Sequence, residues 1–172
     1  MTNKTPLLTS RFKLEPLKQE HADKMFNLLQ NKEIYNYIDD TPPSSLDKLE
    51  IKYKQREKQI SPDNKYIWLN WVIKCKKSSE YIGYIQATIP ILEKTTAILG
   101  YVIFPAYWRK GIATETVSCI ITELFKTYKV IEIKAFIDQN NIASIALIKR
   151  LGFIKDSEEC YCLRNNYKDK KD

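Results

Sequence analysis

The sequence predicts an α+β (mixed α/β) fold, with a mostly antiparallel central sheet flanked by helices. Three observations carry this prediction. The chain has 172 residues and 44% apolar content, enough for one domain with a core of its own. Three runs rich in aromatic and β-branched residues follow one another at hairpin spacing, over 66–74, 81–89 and 96–104. After them the pattern changes to amphipathic helices alternating with short apolar strands. No internal repeat or interdomain linker interrupts this order.

The elements follow in chain order. Over 11–17, Phe12 and Leu14 alternate with Lys13 and Glu15, a first strand that Pro16 limits. Over 19–29, Ala22, Met25, Phe26, Leu28 and Leu29 keep helical spacing. His21 falls in the first turn of that helix and is expected at the surface. A polar and aromatic connector runs over 31–43. Ser44 then stands three residues before Asp47, a capping-box-like start to a charged helix with a thin apolar stripe of Leu46, Leu49, Ile51 and Tyr53. The turn residues Ser61-Pro62-Asp63-Asn64 end it before the three-strand meander. From Val117, apolar Ile120, Ile121, Leu124, Phe125 and Tyr128 mark a strongly amphipathic helix. A short strand over 130–137 comes next. Asn141 is placed to cap a helix that Gly152 ends, and a last strand covers 160–163.

Composition narrows the chemistry. The single histidine excludes a histidine metal cage or a catalytic triad needing more than one imidazole. Four glycines are too few for a glycine-rich dinucleotide fingerprint. Cys75, Cys119, Cys160 and Cys162 contain no Cys-x-x-Cys pair, so no metal site is expected, and reduced, packed thiols in a cytoplasmic protein are. No stretch approaches the ~20 apolar residues of a membrane span, and the opening Met1-Thr2-Asn3-Lys4-Thr5-Pro6 lacks an apolar signal core. The net charge of +7 fits either plain solubility or a polyanionic ligand. Only five of the 28 basic residues are arginine, a poor match to base-edge readout of nucleic acid.

Two stretches can carry chemistry. In Leu99-Gly100-Tyr101-Val102-Ile103-Phe104-Pro105-Ala106-Tyr107-Trp108-Arg109-Lys110-Gly111-Ile112-Ala113-Thr114-Glu115 a strand ends, a basic turn follows and a long helix begins. The first N–H groups of a helix lack intrahelical partners and its dipole is positive there. Gly111 permits close backbone approach, and Arg109 and Lys110 add charge. These features make an anion site suited to a pyrophosphate, or else an ordinary solvated turn. The second stretch, Asn141-Ile142-Ala143-Ser144 continuing to Lys149-Arg150-Leu151-Gly152-Phe153, is a capped helix with a glycine stop.

Together these stretches resemble the GNAT superfamily of N-acetyltransferases, and more closely its ribosomal-protein N-terminal acetyltransferase branch. The family's acetyl-CoA loop reads Q/R-x-x-G-x-G/A, and Trp108-Arg109-Lys110-Gly111-Ile112-Ala113 stands at those positions. The later N-x-x-S and K-x-L-G-F elements match Asn141, Ser144, Lys149, Leu151, Gly152 and Phe153, and Leu8-Thr9-Ser10-Arg11-Phe12 is similar to the branch's opening. The resemblance implies one domain over residues 8–165 and leaves 166–172 as a basic tail. It implies a sheet splayed between its fourth and fifth strands, 96–104 and 130–137, with acetyl-CoA as cosubstrate. Tyr101, Val102, Ile103, Trp108, Arg109, Lys110, Gly111, Ile112, Ala113, Thr114 and Asn141 would hold that molecule. The connector residues Tyr35, Tyr37, Asp39 and Asp40 would wall the acceptor side.

Trp108 replaces the usual Gln or Arg of the loop, a change familiar in this branch, and two further positions depart from the family pattern. Ile98 stands where a glutamate often precedes Leu-Gly-Tyr, and Ile148 stands where a tyrosine acid often follows the N-cap. Ser144 and Asn141 are therefore the expected catalytic groups, Ser144 orienting the leaving thiolate rather than titrating. Ordered water is the expected base. The acceptor suggested is a protein N-terminal α-amine, whose pKa near ~8 eases deprotonation relative to a lysine near ~10.4. A small amine such as a polyamine or aminoglycoside, or a non-catalytic CoA-binding module, is the alternative. A monomer or homodimer without nucleic-acid or membrane partners completes the expectation.

Overall fold

A computed structural model describes residues 5–165; the predicted tail, 166–172, and the first four residues of the opening segment lie outside the described residues. Eight strands form one sheet in the order β1-β2-β3-β4-β5-β6-β8-β7. They are β1 (Leu7–Leu8), β2 (Phe12–Pro16), β3 (Tyr66–Cys75), β4 (Tyr81–Pro90), β5 (Thr96–Ile103), β6 (Glu132–Phe136), β7 (Ile154–Lys155) and β8 (Cys160–Arg164). Helices α1 (His21–Phe26) and α2 (Leu46–Glu57) lie between β2 and β3 in sequence, α3 (Ile112–Lys126) between β5 and β6, and α4 (Ile142–Arg150) between β6 and β7. This is the predicted mixed α/β architecture, with two short edge strands added.

Every pairing is antiparallel except β5 with β6. That parallel ladder has three positions, Thr96 to Glu132, Ala97 to Ile133 and Ile98 to Lys134. β5 continues to Ile103 against β4 alone. The sheet is thus forked beyond Ile98, between the strands predicted to splay.

Alternation along β3 assigns the faces. Leu69, Trp71 and Ile73 join a core with Ile112, Val117, Ile120 and Leu124 of α3 and Ile148 of α4. Val72 joins a second core with Ala22 and Met25 of α1 and Leu49 and Tyr53 of α2. Each fully buried large aliphatic side chain contributes ~1.5–3 kcal/mol, so both helical layers are held mainly by these faces. Gly83 marks where β5 crowds β4: a Cβ there would stand 2.2 Å from the Val102 carbonyl oxygen.

Four local expectations change, the first being that Ile51 is exposed on α2 and does not join its buried stripe of Leu49 and Tyr53. The first helix is shorter than 19–29; α1 ends at Phe26, and 3₁₀ turns at Leu28–Gln30 and Lys32–Tyr35 carry the chain onward. The cap of α2 is Ser45, not Ser44, its hydroxyl accepting from the Lys48 N–H at 3.3 Å. His21 is buried, not exposed. Its Nδ1 accepts the Lys18 N–H at 2.9 Å, and Nε2 lies 3.4 Å from Glu15, itself bonded by the Tyr81 hydroxyl. Polar partners on both ring nitrogens explain why a histidine is tolerated there.

Candidate functional site

The site is built around the fork. Gly111 is the N-cap of α3 with φ +71°, in the left-handed region where only glycine is unstrained, and no side chain caps the helix. A Cβ at Gly111 would meet only the Arg11 guanidinium, 3.5 Å away, so the approach to the helix end is open. Arg109 shares the left-handed conformation at φ +59°. The turn is braced from three sides. The Trp108 indole donates to the Ile103 carbonyl at 2.6 Å, Lys110 Nζ donates to Ala106 at 3.0 Å, and Arg11 donates to the Lys110 carbonyl at 3.0 Å. Ile112 is buried in the core, so its N–H rather than its side chain is what it can offer.

Glu115 in the first turn would oppose an anion, but both its oxygens are engaged. Arg11 donates its backbone N–H to Oε1 at 2.8 Å and its Nε to Oε2 at 2.7 Å. Burial alone would raise this carboxyl; the Arg11 N–H, the Thr9 hydroxyl and the Arg11 guanidinium hold it below its ordinary value. Its charge is thereby compensated, and the helix end keeps its positive character. The residues present fit a pyrophosphate at this end of the fork.

On the α3/α4 face, Asn141 caps α4 as expected, its side-chain oxygen accepting the Ser144 N–H at 3.1 Å. Ser144 Oγ lies 2.5 Å from the Tyr101 hydroxyl, joining α4 to β5 beside the fork. Burial pushes the Tyr101 phenol up to about 12, opposed by the Ser144 bond, so it stays protonated at neutral pH. Either hydroxyl can donate in this pair; when Tyr101 does, the serine proton is free for another acceptor. Ile148 points into the core and carries no chemistry.

The opposite face is the α1/α2 side. Register aligns Trp68, Thr88, Ile98 and Lys134 in one row across β3 to β6, and Asn70, Gln86 and Gly100 in the next. Ile98 is exposed at the fork. Glu132, the nearest acid along β6, is held by Arg164 at 3.0 Å and Lys134 at 3.5 Å. A cavity of about 240 Å³ lies between this face and α2, with Tyr35, Asp40, Lys48, Lys52, Tyr53, Arg56, Asn70 and Tyr84 in its wall. A second, of about 180 Å³, shares Arg56 and Asn70 and extends to Gln86 and Thr88. Of the four expected acceptor residues, Tyr35 and Asp40 line the cavity; Tyr37 and Asp39 are exposed beside it. Burial, then Asp40, raises the Tyr35 phenol to about 12, and burial also raises Tyr53 and Tyr84. Burial would raise Asp40, but the Thr41 N–H, Lys52 and Arg56 hold it below its ordinary range. Lys48, Lys52 and Arg56 were missed in the sequence, although their i, i+4, i+8 spacing was there to be read.

A profile of the acetyltransferase (GNAT) domain matches residues 11–154, so the chain belongs to the GNAT family of acetyltransferases. These are acyltransferases that use acetyl-CoA, and acetyl-CoA is the cosubstrate here. The chain is 27% identical over 152 residues to YoaA, an uncharacterised N-acetyltransferase of Bacillus subtilis, covering 88% of this chain and 84% of that one. Its fold is similar to that of RimL, a ribosomal L7/L12 α-N-protein acetyltransferase solved with coenzyme A, at TM-score 0.78, 16% identity and coverage of 93% and 98%. It is equally similar to a spermidine N-acetyltransferase of Vibrio cholerae solved with CoA and spermine, at TM-score 0.76, 19% identity and coverage of 90% and 96%.

Proposed function

We propose that this chain acetylates a protein or peptide N-terminal α-amine. One observation carries the reading: among the described residues at the fork, no free carboxylate stands where the amine must lose its proton. Ile98 occupies that place, Lys134 is its neighbour, and Glu132 is tied up by Arg164 and Lys134. Water must then accept the proton, and an α-amine with pKa near ~8 gives it up far more readily than a side-chain amine near ~10.4.

Acetyl-CoA supplies the acetyl thioester and a thiol leaving group. The N–H groups at the start of α3, with Gly111, bind the pyrophosphate, and Arg109 and Lys110 add charge. The edge of β5 at Tyr101, Val102 and Ile103 lies along the fork and aligns the pantetheine arm, where Asn141 offers its side-chain amide. The Ile103 carbonyl is already engaged by Trp108, and the Val102 carbonyl turns toward β4, which leaves Tyr101 the freer part of that edge. As the new N–C bond forms and the C–S bond breaks, the amine's proton passes to water. Ser144, held by Tyr101, donates to the departing sulfur. Orientation supplies most of the rate enhancement, with modest help from proton transfer. A cytoplasmic location goes with this reading, since the free thiols of Cys75, Cys119, Cys160 and Cys162 suit a reducing compartment.

The spermidine alternative draws on Asp39 and Asp40, but Lys52 binds Asp40 at 3.0 Å. The test is acetyl-CoA turnover against N-terminally free peptides, N-terminally blocked lysine peptides and spermidine, read by mass spectrometry. The free peptides are expected to give the highest kcat/KM. Faster turnover of spermidine or of a blocked peptide would refute the reading.

A further inference from the structure

Lys48, Lys52 and Arg56 stand four residues apart on α2, and all three line the cavity over the α1/α2 face. Like charges at this spacing oppose one another by about 0.2–0.5 kcal/mol per pair, a cost that only the Lys52–Asp40 pair and the helix dipole at Arg56 offset. Asp40 is the single carboxylate in the same wall among the described residues, and Lys52 occupies it at 3.0 Å. The Arg56 guanidinium makes no hydrogen bond or ion pair among the described residues, although it lies close enough to Asp40, Tyr53 and Tyr84 to act on each electrostatically. It is half-buried, and it belongs to the walls of both cavities, at their junction over Asn70. A polyamine would meet this excess of positive charge as a repulsion.

We propose that Arg56 binds a carboxylate of the acceptor, making the substrate a peptide whose free N-terminus is closely followed by Asp or Glu. Arginine in a partly desolvated wall is suited to this, since its planar fork engages a carboxylate through two parallel N–H bonds. Register sets the reach. From Asn70 on β3 through Gln86 on β4 to Gly100 on β5, beside the fork, is two strand spacings, or ~10 Å. That exceeds the separation of amine and carboxylate within one amino acid. It corresponds to about three extended residues, and fewer once the acidic side chain itself reaches out. The acid is therefore placed at the second or third position. Lys48 and Lys52 continue the positive ridge along the path the remainder of the peptide takes.

This inference rests on the α-amine reading above, and the test separates the two. Pentapeptides with a free N-terminal serine carry one Glu scanned from position two to five, against the all-neutral Gln series. Free glutamate and spermidine complete the panel. The wild type is expected to favour Glu at position two or three over Gln by at least tenfold in kcat/KM. In Arg56→Gln that ratio should collapse toward one, and in Arg56→Lys part of it should return. If neutral and acidic peptides are acetylated alike, the carboxylate inference fails while the α-amine reading stands. If no peptide is acetylated, both fail. Preference for free glutamate over the acidic peptide, or a ratio undiminished in Arg56→Gln, also overturns it. Should Arg56→Gln not fold, the position scan on wild type decides alone.

Discussion

Replacing Gly111 by Glu tests the cosubstrate site through two separable effects. The first is conformational. At φ +71° any side chain is strained, by roughly 1–2 kcal/mol for a residue forced into the left-handed region. Gly111→Ala isolates that cost, since its Cβ meets only Arg11 at an ordinary 3.5 Å. In a chain of this size a loss of ~1 kcal/mol lowers Tm by about 2–4 °C. The second effect is electrostatic and steric. A glutamate at the N-terminus of α3 is welcomed by the helix dipole, so the unliganded protein should lose no more stability than with Ala. The carboxylate then occupies the place of the phosphates and repels them. Acetyl-CoA affinity, by calorimetry, should fall at least tenfold in Gly111→Glu, or ~1.4 kcal/mol, and much less in Gly111→Ala. Because the helix end is exposed, wild-type affinity should also decline as salt rises. Equal affinities in a folded Gly111→Glu protein and the wild type would refute the assignment of this turn.

Ser144→Ala should lower kcat roughly tenfold to a hundredfold with little change in acetyl-CoA affinity, and Tyr101→Phe, which unlocks the same hydroxyl, should lower it by less. A wild-type kcat in Ser144→Ala, with chemistry limiting the rate, would make the hydroxyl structural only. The buried His21 should make stability pH-dependent. Burial holds its imidazole below the ordinary value against the opposing pull of Glu15, so the unfolded chain binds more protons near and below pH ~6.5. Stability present above that pH is therefore lost as pH falls, and Tm should drop between pH 7.5 and 5.5. His21→Gln should flatten the slope, and an undiminished slope would assign it elsewhere.

Much of this architecture was legible because it rests on periodicity. The spacing from Val117 to Tyr128 and the alternation in β3 and β4 encode buried faces directly, and Asn141 and Gly152 mark the ends of α4 by local chemistry. His21 was misread because its burial depends on Glu15 and Lys18, partners that only the fold brings to it. Ser45 displaced Ser44 as the cap by one residue, a choice between equal side chains that backbone direction settles. The α3 turn was visible as a motif, yet its bracing by Arg11 joins residues 104 positions apart and leaves no local trace. The Tyr101–Ser144 pair was hidden in the same way, across 43 positions. On the acceptor side, aromatic and acidic residues in the connector drew attention, whereas the cavity wall is completed by α2. There the basic residues looked like an ordinary solvated face until Tyr53 and Leu49 fixed which way the helix turns.

The central claim is that this fork delivers acetyl to an α-amine whose proton water removes. One peptide with both a free N-terminus and an internal lysine, incubated with acetyl-CoA and the enzyme, puts the two amines in direct competition. Fragment-ion mass spectrometry at pH 7.5 should place the acetyl group on the terminal nitrogen in the great majority of product, with the lysine product gaining only as pH approaches the lysine pKa. Acetyl found mainly on the lysine side chain at pH 7.5 would contradict the account, because among the described residues Ile98, not a carboxylate, stands at the fork where the amine loses its proton.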